Sequence, residues 1–196
     1  IGAGHLDGLG TVEAVAREFD WIELVRRPVR TGRHFAGKVQ AFNDGYTRVV
    51  QLEADFVISV DADVTFDSEY FEFLLRQFHH DPRLGVAGTP FREGGSQYDY
   101  RFSRPEHVSG ACQVFRTECY RGIGGYRPVA TGGVDLVAVV CARMNGWKTH
   151  TFTGKHCVHH RKMGSANQRF VRAQFKSGYL DYPMVVHPLW QLFRCL

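Results

Sequence analysis

Val57-Ile58-Ser59-Val60-Asp61-Ala62-Asp63 is an apolar, β-branched run that ends in carboxylates two positions apart. Phe56 to Val60 reads as a buried strand. Bare acids at its end repel one another and resist desolvation. A divalent cation removes both penalties, because Mg²⁺ and Mn²⁺ take carboxylate oxygens and commonly keep water and phosphate as further ligands. In open α/β sheets, ligands occupy the crevice beyond the carboxyl ends of the strands. The stretch therefore points to a metal–phosphate site at a strand end. Taken alone, an Asp-rich turn or a helix cap would read the same.

Outward from this stretch, helical and strand patterns alternate, which predicts an α/β layer architecture. Thr11 to Phe19 has helical spacing, with Thr11 or Asp7 as its cap, and Trp21 to Val25 reads as a short strand. Arg26 to Arg33 is a basic loop broken by Pro28 and Gly32, and Gly37 to Tyr46 is a helix closed at Gly45. After the acids, Asp67-Ser68 caps a helix whose stripe is Phe71, Leu74, Leu75 and Phe78. Leu84 to Thr89 is a strand, and Arg92 to Arg104 is a loop or an edge strand carrying Tyr98, Tyr100 and Phe102. Val108 to Phe115 re-enters the sheet, and Arg116 to Ile123 is a helix closed by Gly124-Gly125. Leu136 to Asn145 is a helix ending at Gly146, and Thr149 to Phe152 a strand.

The 196 residues suit one domain with a sizeable core, and 44% hydrophobic with 22% charged residues is a globular composition. A net charge of +4 suits an anionic ligand or a membrane surface but is too dispersed to argue for nucleic acid. No stretch approaches the roughly 20 apolar residues of a membrane span, and no secretory signal is visible. Cys112, Cys119, Cys141, Cys157 and Cys195 form no CxxC pair and are odd in number, which favours reduced thiols and a cytoplasmic setting. The chain starts at Ile1 and stops in an apolar, helix-like run at Cys195-Leu196, so it is expected to belong to a longer protein.

Further chemistry concentrates in two places. Gly132-Gly133-Val134-Asp135 sets a carboxylate between a glycine pair and a helix, where a ligand can approach the backbone closely. An ordinary N-cap aspartate looks the same, and the functional reading needs the Asp61/Asp63 pair as its partner. Lys155-His156-Cys157-Val158-His159-His160-Arg161-Lys162 is rich in imidazole, but its spacing matches no usual zinc finger. Strand alternation sends His159 and His160 to opposite faces, so one of them can complete a metal site built on the aspartates.

Taken in order, these landmarks resemble the family 2 inverting glycosyltransferases of GT-A fold, from Thr11 to about Trp190. Gly37-Lys38-Val39-Gln40-Ala41-Phe42-Asn43-Asp44-Gly45 resembles the family's Gly-Lys-x-x-Ala-x-Asn-x-Gly helix, and Asp61-Ala62-Asp63 its DxD motif. Gly110 to Arg116 with Gly124-Gly125-Tyr126 resembles the acceptor-side strand and turn. Gly133-Val134-Asp135 resembles the x-Asp motif that precedes Ala142-Arg143-Met144-Asn145-Gly146-Trp147.

The resemblance implies a GT-A-type mixed, mostly parallel sheet flanked by helices, in a single catalytic domain over residues 1–196. It implies that Asp63 binds Mg²⁺ or Mn²⁺ on the diphosphate of a nucleotide sugar, with Asp61 on the ribose or assisting the metal. Asp135 would be the general base, and His159, preferred over His160, an extra metal ligand. Lys38, Arg33 and Asp7 would lie near the nucleotide, and Gln113 and Gly133 would line the sugar or acceptor pocket. The acceptor would be a glycan or a lipid-linked sugar. Apolar and basic residues interleave over 187–194, which suits peripheral contact with the cytoplasmic face of a membrane.

The chain also departs from the family. The opening strand that supplies base contacts is absent, and the turn that follows it reads Gly4-His5-Leu6-Asp7-Gly8-Leu9-Gly10, with Asp7 as its remnant. Val134 stands where Glu is common. Gln168-Arg169-Phe170 only faintly echoes the Gln-x-x-Arg-Trp signature of processive polysaccharide synthases, which favours single transfer over polymerisation. The alternatives are an inactive GT-A-like binding module and a nucleotidyltransferase.

Overall fold

The computed structural model describes residues 6–27, 35–93, 96–97, 104–129 and 132–160. Two helices come first, α1 (Leu6–Glu18) and α2 (Phe35–Val49), followed by β1 (Phe56–Val60), β2 (Val64–Thr65) and α3 (Tyr70–His80). The chain continues through β3 (Leu84–Gly88), β4 (Phe91–Glu93), β5 (Ser96–Gln97), β6 (Cys112–Arg116) and α4 (Thr117–Gly122). Among the described residues the last elements are α5 (Val134–Met144), β7 (Lys148–Thr151) and β8 (Cys157–His159).

The main sheet has the order β1-β6-β3-β7 and a smaller sheet the order β2-β8-β4-β5. In the main sheet β6 is antiparallel to both β1 and β3, while β7 is parallel to β3. Thus β1, β3 and β7 share one direction and β6 alone is reversed, which gives the expected mixed sheet. In the smaller sheet β8 is antiparallel to β2 and parallel to β4.

Alternation along β6 builds both cores. Cys112 and Val114 pack with Tyr70, Leu74 and Phe78 of α3, whereas Phe115 joins Tyr120, Tyr126, Val134, Ala138 and Ala142 beneath α4 and α5. The buried stripe of α3 is Tyr70-Leu74-Phe78, with Phe71 only partly covered. Each such fully buried side chain contributes on the order of 1.5–3 kcal/mol.

Several local expectations need correction. Trp21 to Val25 forms no strand; a β-prone run becomes one only where a neighbour completes its ladder, and Trp21 is 77% exposed. Helix α2 runs through Gly45 to Val49, because its core-facing residues Val39, Phe42 and Tyr46 keep helical spacing across the glycine. Asp67 does not cap α3 directly. Its Oδ1 accepts the Glu69 N–H at 3.0 Å in the preceding turn, while Lys155 Nζ holds its carboxylate and pulls its pKa below the ordinary 3.8. Tyr98, Tyr100, Phe102 and the segments 161–196 and 28–34 lie outside the described residues, so the 187–194 run and the Gln168 echo do too. Among the described residues, no helix is long and apolar enough to cross a membrane.

Candidate active site

Reversal of β6 decides where the acids meet. Because β6 starts where β1 ends, Val60 pairs with Cys112, and the loop Ser109-Gly110-Ala111 arrives beside Asp61. The Asp61 N–H donates to the Ala111 carbonyl at 3.0 Å. A tight turn follows, with Val64 N–H on the Asp61 carbonyl at 3.2 Å, and it passes the chain into β2 of the smaller sheet. There Val64 is the register partner of His159. The two-acid turn is therefore the junction between the sheets, and His159 comes to it across the β2–β8 ladder.

One ligand atom each from Asp61, Asp63 and His159 lies within 4.8 Å of the others. His159 Nε2 is 3.5 Å from Asp63 Oδ1, and the ring is 8% exposed. His160 points elsewhere, with its Nε2 2.9 Å from Thr65 Oγ1 on the exposed side. Alternation thus separates the neighbouring histidines as expected, and His159 is the one at the acids. Cys157, two residues earlier, is buried in the core beneath α3 and takes no part.

Lys38, on α2, places its Nζ 2.7 Å from Asp61 Oδ1. Both groups are substantially exposed, so the pair is worth only about 0.5 kcal/mol to stability. Its consequence is positional: a cation stands at the rim of the acid cluster. Asp61 is thereby distinguished from Asp63, whose partner is the histidine.

Asp135 lies inside the first turn of α5, not ahead of it, because Gly133 is the N-cap at φ 76°, a left-handed conformation that suits glycine. Its carboxylate presses on Gly110. A methyl group built on Gly110 would sit 2.1 Å from Asp135 Oδ2, so the absence of a side chain there is what lets loop and carboxylate share the space. One three-residue loop thus touches Asp61 through Ala111 and Asp135 through Gly110. Gly110→Ala should force Asp135 off its rotamer; we expect at least a ~10-fold fall in any reaction that uses this carboxylate, since a misplacement of about 1 Å can cost 10²-fold. Metal affinity measured on the same variant should stay within about twofold of wild type.

Gln113 does not line an open pocket as expected. It is wholly buried, its Nε2 donates to the Val108 carbonyl at 3.0 Å and reaches the Asp135 carbonyl at 3.4 Å, and its Oε1 accepts from Tyr126 Oη at 2.6 Å. Gln113 is thus a brace between β6, the loop before it and the start of α5. Burial, more than any neighbour, pushes the Tyr126 phenol far above its ordinary 10.0, so it remains a donor to this brace. Asp7 falls within α1 and not in a turn, and Arg33 lies outside the described residues.

Glu93, at the end of β4, belongs to none of the sequence motifs. The parallel β4–β8 register makes it the partner of His159, with Glu93 Oε1 3.3 Å from His159 Nδ1. Its only trace in the sequence is an acid at the end of a short alternating run, and nothing there ties it to a histidine far along the chain. An apolar groove is also present, lined by Trp21, Val25, Tyr46, Val49, Leu52 and Ile58 along the β1 side, but Asp61, Asp63, Glu93 and Asp135 do not line it.

No family model matches the chain. Over 55 residues it is 38% identical to the poly-beta-1,6-N-acetyl-D-glucosamine synthase of Staphylococcus aureus strain COL, and equally to that of strain N315. That match spans 28% of this chain and 13% of the synthase. Among solved structures, the mannosyltransferase PcManGT from Pyrobaculum calidifontis, in complex with GDP-Man and Mn²⁺, superposes with a TM-score of 0.64 at 16% identity. The superposition covers 90% of this chain and 51% of that one, so the chain spans about half the length of that neighbour. The fold is of GT-A type, as the ordered motifs led one to expect.

Proposed function

We propose that this GT-A chain carries the donor-binding and catalytic part of a metal-dependent inverting glycosyltransferase, which moves a sugar from a nucleotide diphosphate to an acceptor hydroxyl. The observation that carries the reading is the convergence of Asp61, Asp63 and His159 at the carboxyl end of β1, with Asp135 brought in by the same loop. Similarity to a mannosyltransferase bound to GDP-Man and Mn²⁺ and to a sugar-polymer synthase supports it.

The residues fit a divalent cation. Two carboxylates and an imidazole with their ligand atoms within 4.8 Å form a mixed oxygen–nitrogen set, and the imidazole tilts it toward Mn²⁺ over Mg²⁺. Asp63, His159 and Asp61 would hold the ion, which when bound supplies Lewis-acid stabilisation of the leaving diphosphate.

The other steps belong to side chains of the chain. Lys38 brings positive charge to the same edge and would face the phosphates once released from Asp61. Asp135 accepts the proton of the acceptor hydroxyl as its oxygen attacks the anomeric carbon. The bond to the diphosphate breaks on the opposite face, so configuration inverts. Gln113 and Tyr126 hold the start of α5 so that the carboxylate keeps its place. The acceptor is a glycan or lipid-linked sugar at the cytoplasmic face of the membrane.

A panel of nucleotide sugars incubated with the chain and Mn²⁺ tests the reading. We expect release of the nucleoside diphosphate from one or a few donors, abolished by EDTA and restored by added Mn²⁺, with the sugar appearing in inverted configuration on product. Turnover that persists undiminished in EDTA would overturn the metal role, and retention of configuration would overturn the single-displacement role of Asp135.

A further inference from the structure

We propose that Glu93 is a positioning residue for His159, fixing the ring so that Nε2 offers its lone pair toward Asp63 and a cation held there. The inference rests on the metal site described above and deepens it.

A neutral imidazole has one N–H donor and one acceptor nitrogen, and the partner of one nitrogen sets the role of the other. His159 Nε2 faces Asp63 Oδ1 at 3.5 Å, so this nitrogen is the one that can ligate. It can do so only while Nδ1 carries the proton. Nδ1 is buried and makes no aligned hydrogen bond, yet Glu93 Oε1 stands 3.3 Å from it. An N–H···O bond between the two would satisfy a buried donor whose desolvation is otherwise costly.

The placement is enforced by the fold. Parallel pairing of β4 with β8 makes Glu93 and His159 register partners, and the Phe91 ring, two residues back on β4, lies 5.9 Å from the imidazole. One strand therefore supplies both the acceptor for Nδ1 and an apolar contact for the ring. A carboxylate on the far nitrogen of a ligating histidine fixes its tautomer and raises its basicity, and losing such a partner typically costs about 10–100-fold in metal affinity.

Mn²⁺ titration of the 196-residue chain, followed by electron paramagnetic resonance without nucleotide, tests the inference. Glu93→Ala should weaken Mn²⁺ binding at least ~10-fold. Glu93→Gln, whose amide oxygen can still accept from Nδ1–H, should recover most of that loss. Nitrogen-15 spectra of the metal-free protein should show His159 as the Nδ1–H tautomer in the wild type and a shift toward Nε2–H in Glu93→Ala.

An Asp63–His159–Glu93 cluster with a purely structural role would instead lower the thermal midpoint of Glu93→Ala while leaving Mn²⁺ affinity and tautomer unchanged, and would overturn the proposal. If Glu93→Ala does not fold, the isosteric Glu93→Gln and the wild-type tautomer still decide it, because an Nε2–H wild type is incompatible with the assignment. His159→Ala and Asp63→Ala serve as controls. If both lose Mn²⁺ and Glu93→Ala does not, only the positioning role fails; if neither loses it, the metal site itself is wrong.

Discussion

Asp135→Asn is expected to lower the rate of sugar transfer about 10³-fold at saturating donor, within the range that a positioned general base supplies. That factor corresponds to about 4 kcal/mol of barrier. Asparagine preserves the shape of the side chain, including its approach to Gly110, and removes only the capacity to take a proton. The brace beneath it is unaffected, because Gln113 contacts the backbone carbonyl of residue 135 and not its carboxylate. Donor and Mn²⁺ affinities should therefore match wild type, so the loss falls on kcat alone. Single-turnover transfer assays with calorimetric donor titration measure both. A variant that transfers at the wild-type rate would assign the base elsewhere.

Asp63→Ala should weaken Mn²⁺ binding by more than ~100-fold, since even outer partners of metal ligands typically cost 10–100-fold. The argument for Asp63 over Asp61 is local. Asp61 Oδ1 is engaged by Lys38 at 2.7 Å, whereas the Asp63 carboxylate faces the imidazole of His159. Removing Asp63 leaves the turn intact, because its backbone carbonyl still accepts the His160 N–H at 2.8 Å. Nucleotide-sugar affinity in the presence of Mn²⁺ should fall in parallel. Unchanged Mn²⁺ affinity by paramagnetic resonance would show that the acid pair is not a metal site.

Much of the fold is legible in local pattern. The wholly buried β3 carries its burial in its composition, and Gly124-Gly125 and Gly146 mark where α4 and α5 stop. Strand β1 is just as apolar but is not the buried strand its composition suggests: it stands at the edge of the main sheet among the described strands, with Ile58 and Val60 exposed and Ser59 its one buried residue. Local pattern fails where an element depends on a distant partner. Trp21 to Val25 has strand composition without a ladder, and Gly45 resembles a helix end although the packing of Tyr46 carries α2 past it. Asp135 looks like a residue before a helix; the left-handed Gly133 moves the start of α5 so that the acid falls within its first turn.

The site divides in the same way. Asp61, Asp63, His159 and Asp135 are nameable from the sequence because each interrupts an apolar or glycine-rich pattern with a group that is costly to leave unpartnered. Choosing between His159 and His160 needs only strand alternation plus knowledge of which face is inward. The role of Gln113 could not be read, because a buried amide brace and a pocket-lining amide have the same sequence. Glu93 and the space at Gly110 were beyond reach for a related reason: both are set by contacts between segments remote in sequence.

Sequence alone shows that acids stand at the end of an apolar strand, that a further acid opens a late helix and that imidazoles follow, since these are matters of composition and period. The tertiary structure alone decided that they share one place. The reversed strand β6 brings the loop 109–111 to both Asp61 and Asp135, and the β2–β8–β4 ladder sets His159 between Asp63 and Glu93. Strand order and register are fixed by the balance of packing over the whole sheet, and no local stretch encodes them.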